Sequence, residues 1–151
     1  MAKAPSYEGL SADLAFDAAG RTIVRALFDE TLRAAPAVLR GDDTRAVHDM
    51  RVSIRRLRSA LKTFRKTFSA KKCRALRSTT RRIGRKLGPV RDADVHLAAL
   101  RAALAGAAGA DRAGIGYALE SLAERRRIAL AAFAIELSQF DRDAFARALD
   151  G

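Results

Sequence analysis

The sequence predicts an all-α protein, an antiparallel bundle of about five long helices. Three observations carry that expectation. The 151 residues are dominated by Ala, Leu and Arg, with three Pro, seven Phe, two Tyr and no Trp, a mix that favours helix. Apolar side chains recur at alternating steps of three and four residues, the helical period. Nothing reads as a strand, and Asn, a favoured hairpin-turn residue, is absent. A chain of this length makes about one domain with a real core. Residues 1–8 read as a loose tail and residues 9–151 as the bundle.

The first helix is expected from about residue 10 to 39, on Leu10, Leu14, Ile23, Leu27, Phe28, Leu32, Ala35 and Leu39. Pro36 is placed to kink its last turn and Gly41 to cap it. Asp42 or Asp43 then caps a second helix that runs to about Phe68. Its apolar seam is unbroken: Val47, Met50, Ile54, Leu57, Leu61, Phe64 and Phe68. A third helix over about 71–87 carries Cys73, Leu76, Thr80, Ile83 and Leu87 at the same spacing, and Gly88-Pro89 is expected to end it. A fourth starts near Arg91-Asp92, with Asp92 as its N-cap and Asp94 near its positive end, and fades at Gly106–Gly109. A fifth runs from about Asp111 to Gln139, with Ile115, Leu119, Leu122, Ala129, Phe133, Leu137 and Phe140 on one side. Asp141 opens a last short helix to Leu149.

Cys73 is the single cysteine, so no intrachain disulfide forms, and its place on the third seam makes it a core residue in a reducing compartment. The N-terminus lacks the apolar run of a signal peptide. The longest uncharged stretch, Ala102 to Ala110, falls far short of the roughly 20 residues of a membrane span. A cytoplasmic protein is expected, with no membrane partner.

Charge points to the partner. The net charge is +12. Residues 45–91 hold 17 basic side chains against one acid, Asp49, a local +16; the other 104 residues hold 12 basic and 16 acidic, or −4. So concentrated a block implies an anionic partner such as nucleic acid, an anionic membrane or a phosphate polymer. Arg outnumbers Lys 23 to 6, and its guanidinium fork matches phosphate oxygens bidentately.

The basic residues are also ordered. One residue past each seam position of the second helix lies His48, Arg51, Arg55, Arg58, Lys62 and then Arg65. One residue is a turn of about 100°, so an apolar edge and a basic edge, the latter about 25 Å long, run side by side. The third helix repeats the offset with Arg74, Arg77 and Arg81; Gly84 and Gly88 continue that edge, with Arg85 beside it. If the two seams pack together, the two basic edges border one groove, and the glycines let a ligand or a backbone come close. A merely solvated face would mix signs. Here five like-charge pairs on the second helix cost roughly 1–2.5 kcal/mol in total, and no acid interleaves to relieve them.

These residues carry a family resemblance. Val47-His48-Asp49-Met50-Arg51-Val52-Ser53-Ile54-Arg55-Arg56-Leu57-Arg58 resembles the signature helix of the CHAD family, the conserved histidine α-helical domain. Leu87-Gly88-Pro89-Val90-Arg91-Asp92-Ala93-Asp94-Val95 resembles its second motif, in the right order and at the right separation. The resemblance runs from about residue 10 to the end. It implies an all-helical domain whose basic groove binds inorganic polyphosphate without hydrolysing it, in proteins that often accompany polyphosphate granules. Family domains usually hold two bundles related by an approximate two-fold, and this chain corresponds to the first. Its groove is therefore expected to be half a site, or to be completed in a homodimer.

His48 is assigned phosphate contact or groove shaping, and Arg91, through the second motif, phosphate contact. Asp92, Asp94 and His96 do not share a helix face, so no metal site is expected. Arg125-Arg126-Arg127 fan around a helix and read mostly as a solvated face. No nucleophile–base pair and no acidic cluster is evident, so the expected protein is not an enzyme and carries no cofactor. The rival reading is a nucleic-acid binder that does not read sequence. Base readout or stacking calls for Asn, Gln or exposed aromatics beside the basic edge. Phe64 and Phe68 lie on the seam instead, and Tyr7 and Tyr117 lie elsewhere.

Overall fold

A computed structural model of the chain describes residues 7–150. Most of the tail expected over residues 1–8 lies outside the described residues; Tyr7 is half-buried against the core. The chain forms five helices: α1 (Phe16–Arg40), α2 (Thr44–Thr63), α3 (Ala70–Gly106), α4 (Gly109–Ser138) and the short α5 (Arg142–Asp150). Each of the first three packs against the next, and α5 closes on α1 and α3. No strand occurs among the described residues, and no helix there is long and apolar enough to cross a membrane.

Three boundaries differ from the sequence expectation, each for a physical reason. α1 begins at Phe16, not near residue 10. The segment before it is spent in turns, with Leu10 N–H donating to the Tyr7 carbonyl and Leu14 N–H to that of Ser11, both at 3.3 Å. Leu10 and Leu14 match the helical period, but nothing there gives them a core to join. α2 ends at Thr63, not Phe68. Phe64 caps it and turns the chain, its ring 5.2 Å from that of Phe16, while Phe68 is buried in the corner that follows. Both phenylalanines serve the core, but from the corner, and Arg65 leaves the basic edge with them.

The third difference is the largest. Gly88-Pro89 does not end a helix; α3 runs through it, so the expected third and fourth helices are one. Proline inside a helix removes one hydrogen bond and crowds the carbonyl four residues back, at a cost of about 3 kcal/mol. Here that carbonyl belongs to Arg85, which lies on the exposed face of α3. On the opposite face Ile83, Leu87, Val90, Ala93 and Leu97 continue one buried stripe through the proline. Burial of that stripe, at about 25 cal/mol per Å², offsets the local penalty.

Three of the caps read from sequence are present. Asp43 accepts from Arg45 N–H at 2.8 Å and Ala46 N–H at 3.0 Å. Asp141 accepts from Ala144 N–H at 2.7 Å. Gly41 ends α1 at φ 82°, its N–H donating to the Val38 carbonyl at 3.0 Å. It is needed twice over, because a Cβ there would also lie 2.8 Å from Leu130. The core joins α1, α2 and α3 through residues such as Val24, Val38, Val47, Met50, Leu61, Leu76 and Leu87, with Phe133 from α4. Phe28 stacks on Phe145 at 4.1 Å, with Phe140 edge-on to both, which fastens α5 to α1.

Candidate functional site

The site is built on the packing of α2 against α3. The Cys73 thiol lies 3.9 Å from the Leu61 carbonyl. A Cβ on Gly84 would lie 3.1 Å from Ile54 Cγ2, and one on Gly88 would lie 3.7 Å from Arg51 Nη1. These pairs set an antiparallel register in which higher numbers on α3 face lower numbers on α2. Polar residues on the seam are satisfied within their own helices. Ser53 Oγ donates to the Asp49 and Met50 carbonyls, and Thr80 Oγ1 to that of Leu76. The seam is therefore effectively apolar, and the two helices approach closely at Gly84.

One helix position further round, the cationic side chains emerge on both sides of the resulting crevice. At one end a cavity of about 200 Å³ is lined by His48, Arg51, Arg55 and Arg58 of α2, over Gly84 and Leu87 of α3. The next, about 280 Å³, is lined by Arg55, Arg58, Ser59 and Lys62 of α2 and by Arg77 and Arg81 of α3. A third, about 530 Å³, is lined by Arg74, Ala75, Arg77, Ser78 and Arg81, all of α3. Each shares residues with the one before it, and no carboxylate lines any of them. Eight of the ten residues singled out from sequence thus line one continuous track. Arg85 and Arg91 do not: Arg85 lies exposed on α3, and Arg91 is half-buried, opposite the His48 end by register.

The charge state of this track sets it apart. Among the described residues, no carboxylate is within ion-pair distance of His48, Arg51, Arg55, Arg58, Lys62, Arg74, Arg77 or Arg81. Four arginines elsewhere, Arg56, Arg82, Arg126 and Arg127, are paired with carboxylates. Arg56 lies 3.6 Å from Glu30, Arg82 bonds to Glu136, and Arg127 makes two bonds to Glu124 at 2.7 and 2.8 Å. The hydrogen bonds from Arg127 hold the Glu124 carboxyl below its ordinary range.

Sequence reasoning missed Arg126, and misplaced Asp92 and Asp94. With α3 continuous, there is no helix start at residue 92: Asp92 is exposed in mid-helix, not an N-cap, and Asp94 is buried. Arg126 Nε donates to Asp94 Oδ1 at 2.6 Å, and its Nη1 donates to the Gly41 carbonyl at 2.8 Å. One guanidinium thus ties α4 to α3 and to the end of α1, with the Asp94 side chain only 1% exposed. The only signal in the sequence was an acid on a buried stripe, one turn after Val90 and one before Leu97. His96 is exposed, and among the described residues no group of three or more His, Cys, Asp and Glu side chains is placed to hold a metal ion.

Comparison with known protein families fits this architecture. A sequence model of the CHAD domain matches residues 22–151. The chain belongs to the CHAD family. Neither a curated protein nor a solved structure matches the chain. The CHAD match spans all of α2, α3 and α4, and so contains the whole crevice.

Proposed function

We propose that this CHAD domain binds inorganic polyphosphate along the α2–α3 crevice, without hydrolysing it, and that binding carries the protein to polyphosphate granules. The observation that supports the reading most is the connected track lined by seven Arg and Lys side chains and His48 with no carboxylate among them. Like-charge neighbours of this kind cost stability, and a bound polyanion relieves the cost. The arginine-rich lining favours phosphate oxygens in particular.

Nucleic acid is the competing ligand, since its phosphate backbone is drawn to the same cations. The crevice has no Phe, Tyr, Trp, Asn or Gln side chain for stacking or for reading bases. Tyr117, the most exposed large apolar side chain among the described residues, sits on α4 instead. A thin linear chain also suits a crevice between two helices better than a duplex does. The deciding experiment is competition between long-chain polyphosphate, duplex DNA and single-stranded DNA of equal total charge at moderate salt. Polyphosphate is expected to win, with affinity falling steeply as salt rises. Equal affinity for DNA removes the preference and favours the nucleic-acid reading.

A further inference from the structure

The first two cavities follow the crevice, but the third does not. It is fenced by Arg74, Arg77 and Arg81 and floored by Ala75 and Ser78. Leu76, Thr80 and Ile83 face the core, and at 100° per residue Ser78 lies on the opposite side of α3. This cavity therefore sits on the outward face of the helix. Arg77 and Arg81, one helical turn apart, line it and the crevice alike.

A linear anion lying in the crevice has two ways to continue. The straight way passes Lys62 towards the α2–α3 corner, where the next cation is Arg65. The other climbs between Arg77 and Arg81 onto the outward face of α3. Two features favour the climb. A chain that passes between Arg77 and Arg81 keeps both guanidinium groups in contact on either side. Beyond them, the small side chains of Ala75 and Ser78 leave about 530 Å³ of open space that ends at a further cation, Arg74.

On the polyphosphate reading above, on which this inference rests, we propose that the bound chain crosses over α3 between Arg77 and Arg81 and ends against Arg74. The site then bends around one helix. It accepts a thin, flexible phosphate chain and rejects a stiff duplex, which cannot follow the bend.

The test compares two variants that remove the same charge from exposed positions, Arg74→Gln on the outward face and Arg65→Gln at the corner. General electrostatic attraction falls equally in both. Affinity for long-chain polyphosphate is measured by titration calorimetry at fixed salt, with circular dichroism confirming the helical fold. Arg74→Gln is expected to weaken binding by roughly tenfold or more, as for loss of one charge-assisted contact, and Arg65→Gln to change it little. Ser78→Phe, which fills the floor without changing charge, is expected to weaken binding as well. Losses that are equal, absent, or larger for Arg65→Gln overturn the crossing and leave the crevice as the site. So does a Ser78→Phe variant that binds like the parent. A parent protein that fails to bind polyphosphate overturns the function itself.

Discussion

The arginines of the α2–α3 crevice and those at the contact of α3 with α4 are the same residue type, yet they do opposite things. Arg81 lines the crevice with no carboxylate near it, while its sequence neighbour Arg82 bonds to the buried Glu136. Arg126 goes further: half-buried, it is fixed to the buried Asp94 and to the Gly41 carbonyl, and holds three helices together. A buried cation without its anion is costly, and Arg126 meets that cost with Asp94. A cation at a solvent-facing crevice bears no such penalty and stays available to a ligand. A carboxylate partner marks these framework cations, and a run of cations lined by no carboxylate marks the site.

The largest expected effect is on binding. Replacing Arg51, Arg55 and Arg58 together with Gln removes three charge-assisted contacts of roughly 1.5–3 kcal/mol each. Polyphosphate affinity is expected to fall at least a hundredfold in calorimetric titration. Thermal unfolding of the same variant is expected at or above the parent temperature, because like-charge pairs are lost. A variant that unfolds would put these arginines in the framework and break the comparison.

Arg126→Met tests the other side. It leaves Asp94 charged and buried, which costs about 3–5 kcal/mol in urea unfolding. Asp94 Oδ2 and Arg126 Nη2 are buried without hydrogen-bond partners even in the intact pair. The double variant Arg126→Met/Asp94→Leu is therefore expected to recover much of the loss, since an imperfectly satisfied buried pair is readily replaced by apolar packing. Binding by the folded fraction is expected to be unchanged in both.

The adjacent pair sharpens the distinction. Arg81→Gln is expected to weaken polyphosphate binding and leave unfolding unchanged. Arg82→Gln is expected to destabilise by about 1–3 kcal/mol, the cost of leaving the buried Glu136 carboxylate without its partner, and to leave binding unchanged. Effects of the same kind at both positions would mean that pairing does not sort the cations.

The smallest effect belongs to Arg127. Both it and Glu124 are exposed, so Arg127→Gln is expected to change neither unfolding nor binding measurably. Glu124 reports the change instead. Its carboxyl is held low by the Arg127 hydrogen bonds, so the pair contributes its small stabilisation at neutral pH and loses it as pH falls through the lowered value. In Arg127→Gln, the Glu124 titration followed by NMR is expected to move up to the ordinary glutamate range.

Much of this was legible in the sequence, for reasons that can be named. The seam of α2 from Val47 to Leu61 and the basic edge beside it share one helix, so spacing alone fixes their relation. The caps at Gly41, Asp43 and Asp141 depend on backbone geometry within three or four residues. What spacing left open was where a local signal would be overruled. Leu10 and Leu14 kept the helical period without a core, Phe64 and Phe68 kept it around a corner, and Pro89 lost to the buried stripe from Ile83 to Leu97.

By itself, then, the sequence determined the helical class, the seams and the one-residue offset that places cations beside them, because each is a property of a single helix. Tertiary structure alone decided which cations keep their charge free. That choice depends on residues far apart in the chain: Asp94 meets Arg126 across 32 positions, Arg82 meets Glu136 across 54, and Arg126 meets Gly41 across 85. No periodicity encodes those meetings. They arise where α3, α4 and the end of α1 close on one another, and burial there forces every charge to find a partner.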